Sequence, residues 1–274
     1  MIRVGVFGAG GRMGAEVCRA VAGAPDMDLV AAVDPALAGR PLAEVAGLPG
    51  SDLVIAGDPQ ALADGKAEVA VDFTVAASAL ENIRWCLAHG VHAVVGTTGI
   101  SPDDLESVLK QPEPSLEPSG GEGHVLYAPN FAIGAVMMMR FSRLAASWLP
   151  DAEVIEAHHA SKRDSPSGTS LATVREIAAG RADAHAEPAA PPASAVEVLP
   201  GARGAERDGV HVHSVRLPGL VAHQEVIFGG PGQTLTIRHD TTDRVAFMPG
   251  VLLAVREIAN RPGLTIGLQT LLGL

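Results

Sequence analysis

The stretch Ile2-Arg3-Val4-Gly5-Val6-Phe7-Gly8-Ala9-Gly10-Gly11-Arg12-Met13-Gly14 decides the fold. Ile2 to Phe7 is short, apolar and closed by glycines, the pattern of a strand buried in a parallel sheet. Met13 to Ala22 follows with helical spacing and puts Met13, Val17, Ala20 and Val21 on one side. A strand, a glycine turn and a helix in this order aim backbone N–H groups at an anion, where the helix dipole also favours negative charge. The next strand, Leu29 to Val33, ends on Asp34, 20 residues past Gly14, where an acid would bind an adenosine ribose hydroxyl. A glycine turn alone is equally an ordinary bend in an α/β protein. Strand, loop, helix and distal acid in register favour a dinucleotide site. Gly8, Gly11 and Gly14 fit G-x-x-G-x-x-G rather than strict G-x-G-x-x-G, which indicates a subclass of such sites.

The same alternation continues outward. Val69 to Phe73 reads as a strand, and Val75 to His89 as a helix with Ala76, Leu80, Ile83 and Leu87 on one face, stopping at Gly90. Val91 to Val95 is a strand running into Gly96-Thr97-Thr98-Gly99, and Val125-Leu126-Tyr127 runs into Ala128-Pro129-Asn130-Phe131. Ligands of open α/β sheets bind outside the carboxyl ends of the strands, so both segments are placed to line the nicotinamide half of the site. Either one taken singly is as well read as a plain loop.

Beyond residue 131 the character changes. Ile133 to Leu149 is helical, Glu153 to His158 strand-like and Leu171 to Ala179 helical. Val210 to Leu217, His223 to Phe228 and Leu235 to His239 follow as strands joined by Gly/Pro turns. The expected fold is α/β: a Rossmann-type dinucleotide-binding domain over 1–130, joined by the C-terminal helix of about 246–274, in which Pro249 to Ala259 is the helical part. A second α+β domain with a mixed or antiparallel sheet spans 131–245. Residues 110–124 and 179–192, rich in Pro, Gly, Glu or Ala, read as loops.

Composition removes several function classes. The chain has 274 residues, 47% of them hydrophobic and 19% charged, which is too much apolar material for a disordered protein. Lys plus Arg number 20 against 31 Asp plus Glu, a formal charge of −11, so nucleic acid is not an expected partner. An anionic substrate would need a local basic cluster. Cys18 and Cys86 lie far apart in apolar helical contexts and read as buried, inert thiols of a reducing cytosol. With no apolar leader and no run near the ~20 residues of a membrane helix, a soluble cytoplasmic protein is expected.

That basic cluster lies in Glu156-Ala157-His158-His159-Ala160-Ser161-Lys162-Arg163-Asp164-Ser165-Pro166-Ser167-Gly168-Thr169-Ser170, between a strand and a helix. Histidine can donate a proton near neutral pH, and Lys162 can hold a carboxylate or assist proton transfer. Pro-Ser-Gly-Thr-Ser runs into a helix and offers its free N–H groups to an anion. Paired loop histidines are also often only solvated, and Ser-Gly-Thr-Ser is an ordinary cap. No metal site is expected: adjacent histidines point apart, and no His-Glu-x-x-His or nearby thiolate is present. No Gly-x-Ser-x-Gly elbow supports a serine hydrolase. His211, His213, His223 and His239 read as sheet-face residues, and Met137-Met138-Met139 as helix core. Arg216 suits either a carboxylate ligand or an ion pair.

Taken together, Gly-Ala-Gly-Gly-Arg-Met-Gly (8–14), Val-Asp-Phe-Thr (71–74), Val-Val-Gly-Thr-Thr-Gly (94–99), Ala-Pro-Asn-Phe-Ala-Ile-Gly (128–134) and His-His-x-x-Lys-x-Asp-x-Pro-Ser-Gly-Thr (158–169) resemble the 4-hydroxy-tetrahydrodipicolinate reductase family. Val212 to Arg216 and Gly219 to Gln224 resemble its C-terminal half. The resemblance covers nearly the whole chain. It implies an NADH- or NADPH-dependent enzyme of lysine and diaminopimelate biosynthesis that reduces the cyclic dicarboxylate 4-hydroxy-2,3,4,5-tetrahydrodipicolinate to 2,3,4,5-tetrahydrodipicolinate with loss of water, the hydride going to C4. Carried over, His158 is the proton donor/acceptor and Lys162 the second proton donor, while His159, Gly168 and Thr169 contact substrate. Gly8, Ala9, Gly10, Gly11, Arg12, Met13, Asp34, Gly96, Thr97, Thr98, Ala128, Pro129, Asn130 and Phe131 match cofactor contacts. The second domain would bind substrate and build a homotetramer.

Some positions depart from the family pattern. Gln233 stands where glutamate is expected, and Asp243 where serine is frequent, which touches interface details more than chemistry. Pro35 follows Asp34 where some relatives carry an arginine suited to a 2′-phosphate, so NADH should serve at least as well as NADPH, with Arg12 a partial substitute. The alternatives are another NAD(P)-dependent oxidoreductase of a small amino-acid-derived dicarboxylate, and a nucleotide-sensing module without catalysis.

Overall fold

The computed structural model describes residues 1–110, 122–190 and 193–274. Most of the expected 110–124 loop, and the last two residues of the expected 179–192 loop, lie outside the described residues. The chain forms two compact units, Met1–Ala132 with Phe247–Gly273, and Ile133–Ala246.

In the first unit, β1 (Ile2–Phe7), α1 (Arg12–Ala22) and β2 (Met27–Val33) are followed by the short helices α2 (Leu42–Ala46) and α3 (Gln60–Asp64). Then come β3 (Val69–Asp72), α4 (Ala76–Ala88), β4 (His92–Val95), α5 (Pro102–Lys110) and β5 (Val125–Tyr127). The strands are parallel throughout and carry one further member from the C-terminal segment. Every residue of β3 is buried, as are Val4 to Phe7 of β1. Such runs have no polar face and can only sit in a sheet covered on both sides. Helix α4 turns Ala79, Ile83 and Cys86 fully inward, with Leu80 and Leu87 at the margin of that stripe. The expected face, Ala76, Leu80, Ile83 and Leu87, packs in or against this core, and the fully buried stripe extends past it to Ala79 and Cys86.

The second unit holds α6 (Ile133–Ala146), β6 (Asp151–His158), α7 (Gly168–Ala184), β7 (Ala205–Arg207), β8 (Val210–Arg216), β9 (Ala222–Gly230) and β10 (Gln233–Thr241). Its sheet order is β10-β9-β6-β8-β7, with β6 and β8 parallel and every other pair antiparallel. The sheet is mixed, as expected. Ala152 and Val154 of β6, Val210 and Val212 of β8, and Val226 and Phe228 of β9 share one face and pack on Met138, Val174 and Ile177 of the two helices. Met138 is core, whereas Met137 is turned outward. The C-terminal segment returns to the first unit as α8 (Met248–Glu257), β11 (Leu264–Ile266) and α9 (Gln269–Leu272), which gives that sheet the order β11-β5-β4-β3-β1-β2.

Helix α7 corrects one expectation. It runs on to Ala184, so the segment from Ala179 begins as helix rather than loop. Tertiary contacts hold this low-complexity turn: Arg143 of α6 pairs with Asp183 at 2.7 Å, and Arg181 donates to the Pro150 and Asp208 carbonyls at 2.7 and 3.1 Å. Among the described residues no helix is long and apolar enough to cross a membrane.

Helices α6 and α7 pack tightly at Gly180, where an added Cβ would lie 2.0 Å from the Arg143 carbonyl oxygen. Gly180→Ala gains about 1 kcal/mol of helix propensity. The overlap forces the helices apart and costs about 1–3 kcal/mol, so the contact should win. A lower urea midpoint with unchanged slope is expected. A variant as stable as the wild type would contradict this packing.

Candidate active site

The glycine loop and the acid meet as their spacing required. Gly8 adopts φ +68°, a left-handed conformation that favours glycine, and Gly11 N–H closes the turn on the Gly8 carbonyl at 2.9 Å. Helix α1 starts immediately, with Gly11 as its N-cap and no side-chain cap. A Cβ on Gly14 would sit 2.0 Å from the Gly8 oxygen, so the helix end lies directly on the loop. Asp34, at the end of β2, accepts from Gly10 N–H at 3.0 Å and from Ala36 N–H at 3.1 Å. Gly8, Gly11, Asp34, Pro35, Thr74 and Trp85 border one cleft of about 880 Å³, an ordinary size for a ligand site. An uncapped helix end, a loop that excludes side chains and an acid at the neighbouring strand end fit a dinucleotide. Gly8 to Met13 would take its pyrophosphate and Asp34 its ribose.

The other cofactor candidates lie along the same strand ends but do not border that cleft. Gly96 N–H continues the ladder to the Asp72 carbonyl at 2.9 Å, and Ala128 N–H to the Val95 carbonyl at 3.0 Å. Thr97 is buried and turns its hydroxyl inward to Asp72, while Thr98 is exposed. Phe131 is buried with its ring 5.7 Å from that of Phe73, and Asn130 folds its side chain onto Ala132 N–H at 2.9 Å. Thr97 and Phe131 are thus buried, and their side chains are engaged within the protein.

In the second unit, His158 is the last residue of β6, and its Nδ1 lies 2.5 Å from Glu156 Oε2. Alternation along β6 puts Ala152, Val154, Glu156 and His158 on one face, so Glu156 occupies a core position and is fully buried. Arg216, beside His158 on β8, donates to both Glu156 oxygens at 2.7 and 2.8 Å. This settles Arg216 as an ion pair. Burial pushes the Glu156 carboxyl up, but hydrogen bonds from Arg216, Ser214 and His158 outweigh it and hold the group below its ordinary range. For His158, burial pushes the imidazole down and Glu156 pulls it up. The Lys162 and Arg216 charges push it down again, and the net direction is downward.

The turn after β6 gathers the rest. Lys162 contacts the Asp164 carboxylate at 2.8 and 3.0 Å, and His159 Nδ1 faces the Ser161 hydroxyl at 2.9 Å. Ser167 caps α7 by accepting from Ser170 N–H at 3.1 Å, which leaves exposed Gly168 and half-buried Thr169 in its first turn. The start of that helix is fixed from below: Ser170 donates to Gln224 Oε1 at 2.8 Å, and Gln224 donates to Thr173 Oγ1 at 2.6 Å. His213 and His223 point to the opposite sheet face and pair with Glu153 and Asp240 at 2.8 and 2.7 Å. Burial pushes the Cys18 thiol up to about 12, and Cys86 is raised further by the same cause. Among the described residues no group of His, Cys, Asp and Glu could hold a metal ion.

Comparison with known proteins places the chain in a family. The N-terminal model of dihydrodipicolinate reductase matches residues 2–131, and the C-terminal model of the same enzyme matches 134–272. The chain belongs to the dihydrodipicolinate reductase family. A 4-hydroxy-tetrahydrodipicolinate reductase of Corynebacterium aurimucosum is 48% identical over all of this chain and 99% of its own length. A dipicolinate-bound dihydrodipicolinate reductase from Paenisporosarcina sp. TG-14 superposes with a TM-score of 0.81 and 37% identity, covering 98% of this chain and 99% of that one. An amine dehydrogenase from Mycobacterium smegmatis, at 14% identity and a TM-score of 0.60, shares the fold.

In this member of the dihydrodipicolinate reductase family, three buried polar residues escaped the sequence reading: Asp72, Glu156 and Gln224. Glu156 and Gln224 sit at inward positions whose same-face strand neighbours are largely apolar, and Asp72 ends a strand that is buried throughout. Asp72 is 2% exposed and accepts from Thr74 N–H (2.8 Å), Thr74 Oγ1 (2.7 Å), Thr97 Oγ1 (3.1 Å) and Asn82 Nδ2 (2.7 Å). It ties the β3 and β4 ends to α4. Asp72→Ala strands these donors and should cost on the order of 2–4 kcal/mol in urea unfolding. An unchanged urea midpoint would show that Asp72 is no hub.

Proposed function

We propose that this chain reduces 4-hydroxy-2,3,4,5-tetrahydrodipicolinate to 2,3,4,5-tetrahydrodipicolinate with loss of water, using NADH or NADPH, in lysine and diaminopimelate biosynthesis. The observation that carries this reading is the strand-end His158, with Lys162 in the following turn and the start of α7 just beyond, in a chain of this family. Gly8 to Met13 and Asp34 hold the adenosine and pyrophosphate part of the cofactor, and Gly96 to Thr98 with Ala128 to Phe131 hold the nicotinamide part. When bound, the reduced nicotinamide supplies the hydride for C4.

Burial biases His158 toward its neutral form, the form that can start the cycle as a base. It takes the proton from the ring carbon between C4 and the imine carbon. The C–H electrons become the new C=C bond, and the C4–O bond breaks as Lys162 protonates the departing hydroxyl. Hydride addition at C4 then sends electrons through C=C–C=N to nitrogen, and His158 returns its proton to the same carbon. Solvent reprotonates Lys162, so one proton is consumed and one water released per turnover. His159, Gly168, Thr169 and the first N–H groups of α7 hold the substrate carboxylates, an anion against a helix N-terminus.

The same reading makes the enzyme a cytoplasmic homotetramer assembled through the second unit. The sheet face turned away from α6 and α7 supports it, since Ile155, Val215 and Ile227 are only half-buried there.

NADH and NADPH oxidation, with cyclic substrate made in situ from pyruvate and aspartate semialdehyde by the preceding synthase, tests the reaction. Turnover is expected, and His158→Ala should lower kcat by about 10²–10⁴-fold with little change in KM. Near-normal kcat in that variant would reject the acid–base role. For the cofactor, Asp34 places negative charge where a 2′-phosphate would come, and Pro35 adds no cation. NADH should therefore work at least as well as NADPH. A KM for NADPH more than about tenfold below that for NADH, about 1.4 kcal/mol, would overturn this preference.

A further inference from the structure

Glu156 lies one strand position behind the proton-transfer residue and contacts nothing outside the protein. It is fully buried on the core face of β6, in line with Ala152 and Val154, where apolar side chains belong. An unpaired carboxylate there would be strongly destabilising, and even a paired one is often no more stable than hydrocarbon. Its partners therefore say what it is for. Two of its contacts come from the Arg216 fork, and a third is His158 Nδ1 at 2.5 Å. Arg216 is itself fixed by donating to the Val215 and Asp164 carbonyls at 2.8 and 2.7 Å.

We propose that Glu156 is the positioning residue of this site: held by Arg216, it receives the Nδ1 proton of His158 and leaves Nε2 as the one ring nitrogen open to the substrate. The proposal rests on His158 being the proton-transfer group. A carboxylate can only accept here, so the neutral imidazole must carry its proton on Nδ1. The ring is held at one angle from a strand paired on both sides instead of from the turn that follows. Arg216 has a separate part. It cancels most of the Glu156 charge, so that the carboxylate orients the imidazole without trapping it as imidazolium.

The charged groups around the ring are Glu156 on β6, Arg216 on β8, and Lys162 with its partner Asp164 in the turn. From β9 come only Ala222 beside His158 and Gln224 beside Glu156, both uncharged. Glu156 is the only anion in contact with the imidazole among the described residues, so removing it has one electrostatic direction. The imidazolium loses its stabilising partner, and the titration of His158 moves to lower pH.

The test uses full-length protein, with His158→Gln to assign the ring signals. In the wild type, ¹⁵N-histidine NMR should show His158 with its proton on Nδ1 and a bare Nε2, a readout that needs no turnover. In Glu156→Gln the amide can also donate to Nδ1, so the tautomers should mix. The kcat should fall by about 10²-fold with KM changed less than about threefold, and the limb of the kcat/KM profile set by His158 should shift to lower pH. Glu156→Asp should restore most of the wild-type tautomer and part of kcat. Should Glu156→Gln fail to fold, the wild-type spectrum and Glu156→Asp still decide. A wild-type His158 protonated on Nε2, or a Glu156→Gln enzyme with unchanged kcat and pH profile, would overturn the proposal. If His158→Gln keeps full turnover, the functional reading above fails instead, whatever the spectrum shows.

Discussion

A carboxylate removed from water must be met by donors, and that requirement organises the second unit around Glu156. Its position on β6 faces the core, where hydration is lost and only protein groups can replace it. The parallel β6–β8 register sets Ser214 beside Glu156 and Arg216 beside His158, so the sheet delivers the donors at fixed distances without any loop having to order. The connection that makes this pair parallel runs through α7 and β7, and the first turn of α7 follows the site directly. One connection thus supplies both the ladder that satisfies the buried charge and the helix end that faces an anion.

The first unit repeats the device with different residues. Asp72 ends β3 as Glu156 nears the end of β6, and it too is buried and saturated by short hydrogen bonds. Its donors come from Thr74, Asn82 and Thr97, the residues that shape the segments after β3 and β4. Neither carboxylate is placed to touch a ligand. Each converts the rigidity of a strand into the position of a neighbouring group, which is how a loop-built site attains the precision of its scaffold.

Much of this was legible in the sequence. The strand–glycine–helix–acid order around Gly8 and Asp34 follows from backbone geometry that few other residues permit, so periodicity and spacing sufficed. The dense polar run 156–170 likewise announced itself in an acidic chain. What escaped was of two kinds. Short elements such as β11 and α9 have too few residues for any period to be counted, and α7 beyond Ala179 is held by Arg143 and Arg181 rather than by its own pattern. Asp72, Glu156 and Gln224 escaped because a buried polar residue looks like a solvated one until its partners are known. Arg216 read equally well as ligand or ion pair, and only the β6–β8 register separated the two.

The two thiols carry a consequence for dynamics. Cys18 on α1 and Cys86 on α4 are the chain's only cysteines, and both lie in the first unit, buried and held as thiols by desolvation. Neither can react with an alkylating reagent until the helix that bears it moves away from the sheet. Their labelling rates therefore measure the opening of two separate helices of that unit, α1 after the glycine loop and α4 after β3. The second unit is silent to such reagents. The natural sequence thus contains a pair of reporters that separate the breathing of one unit from that of the other.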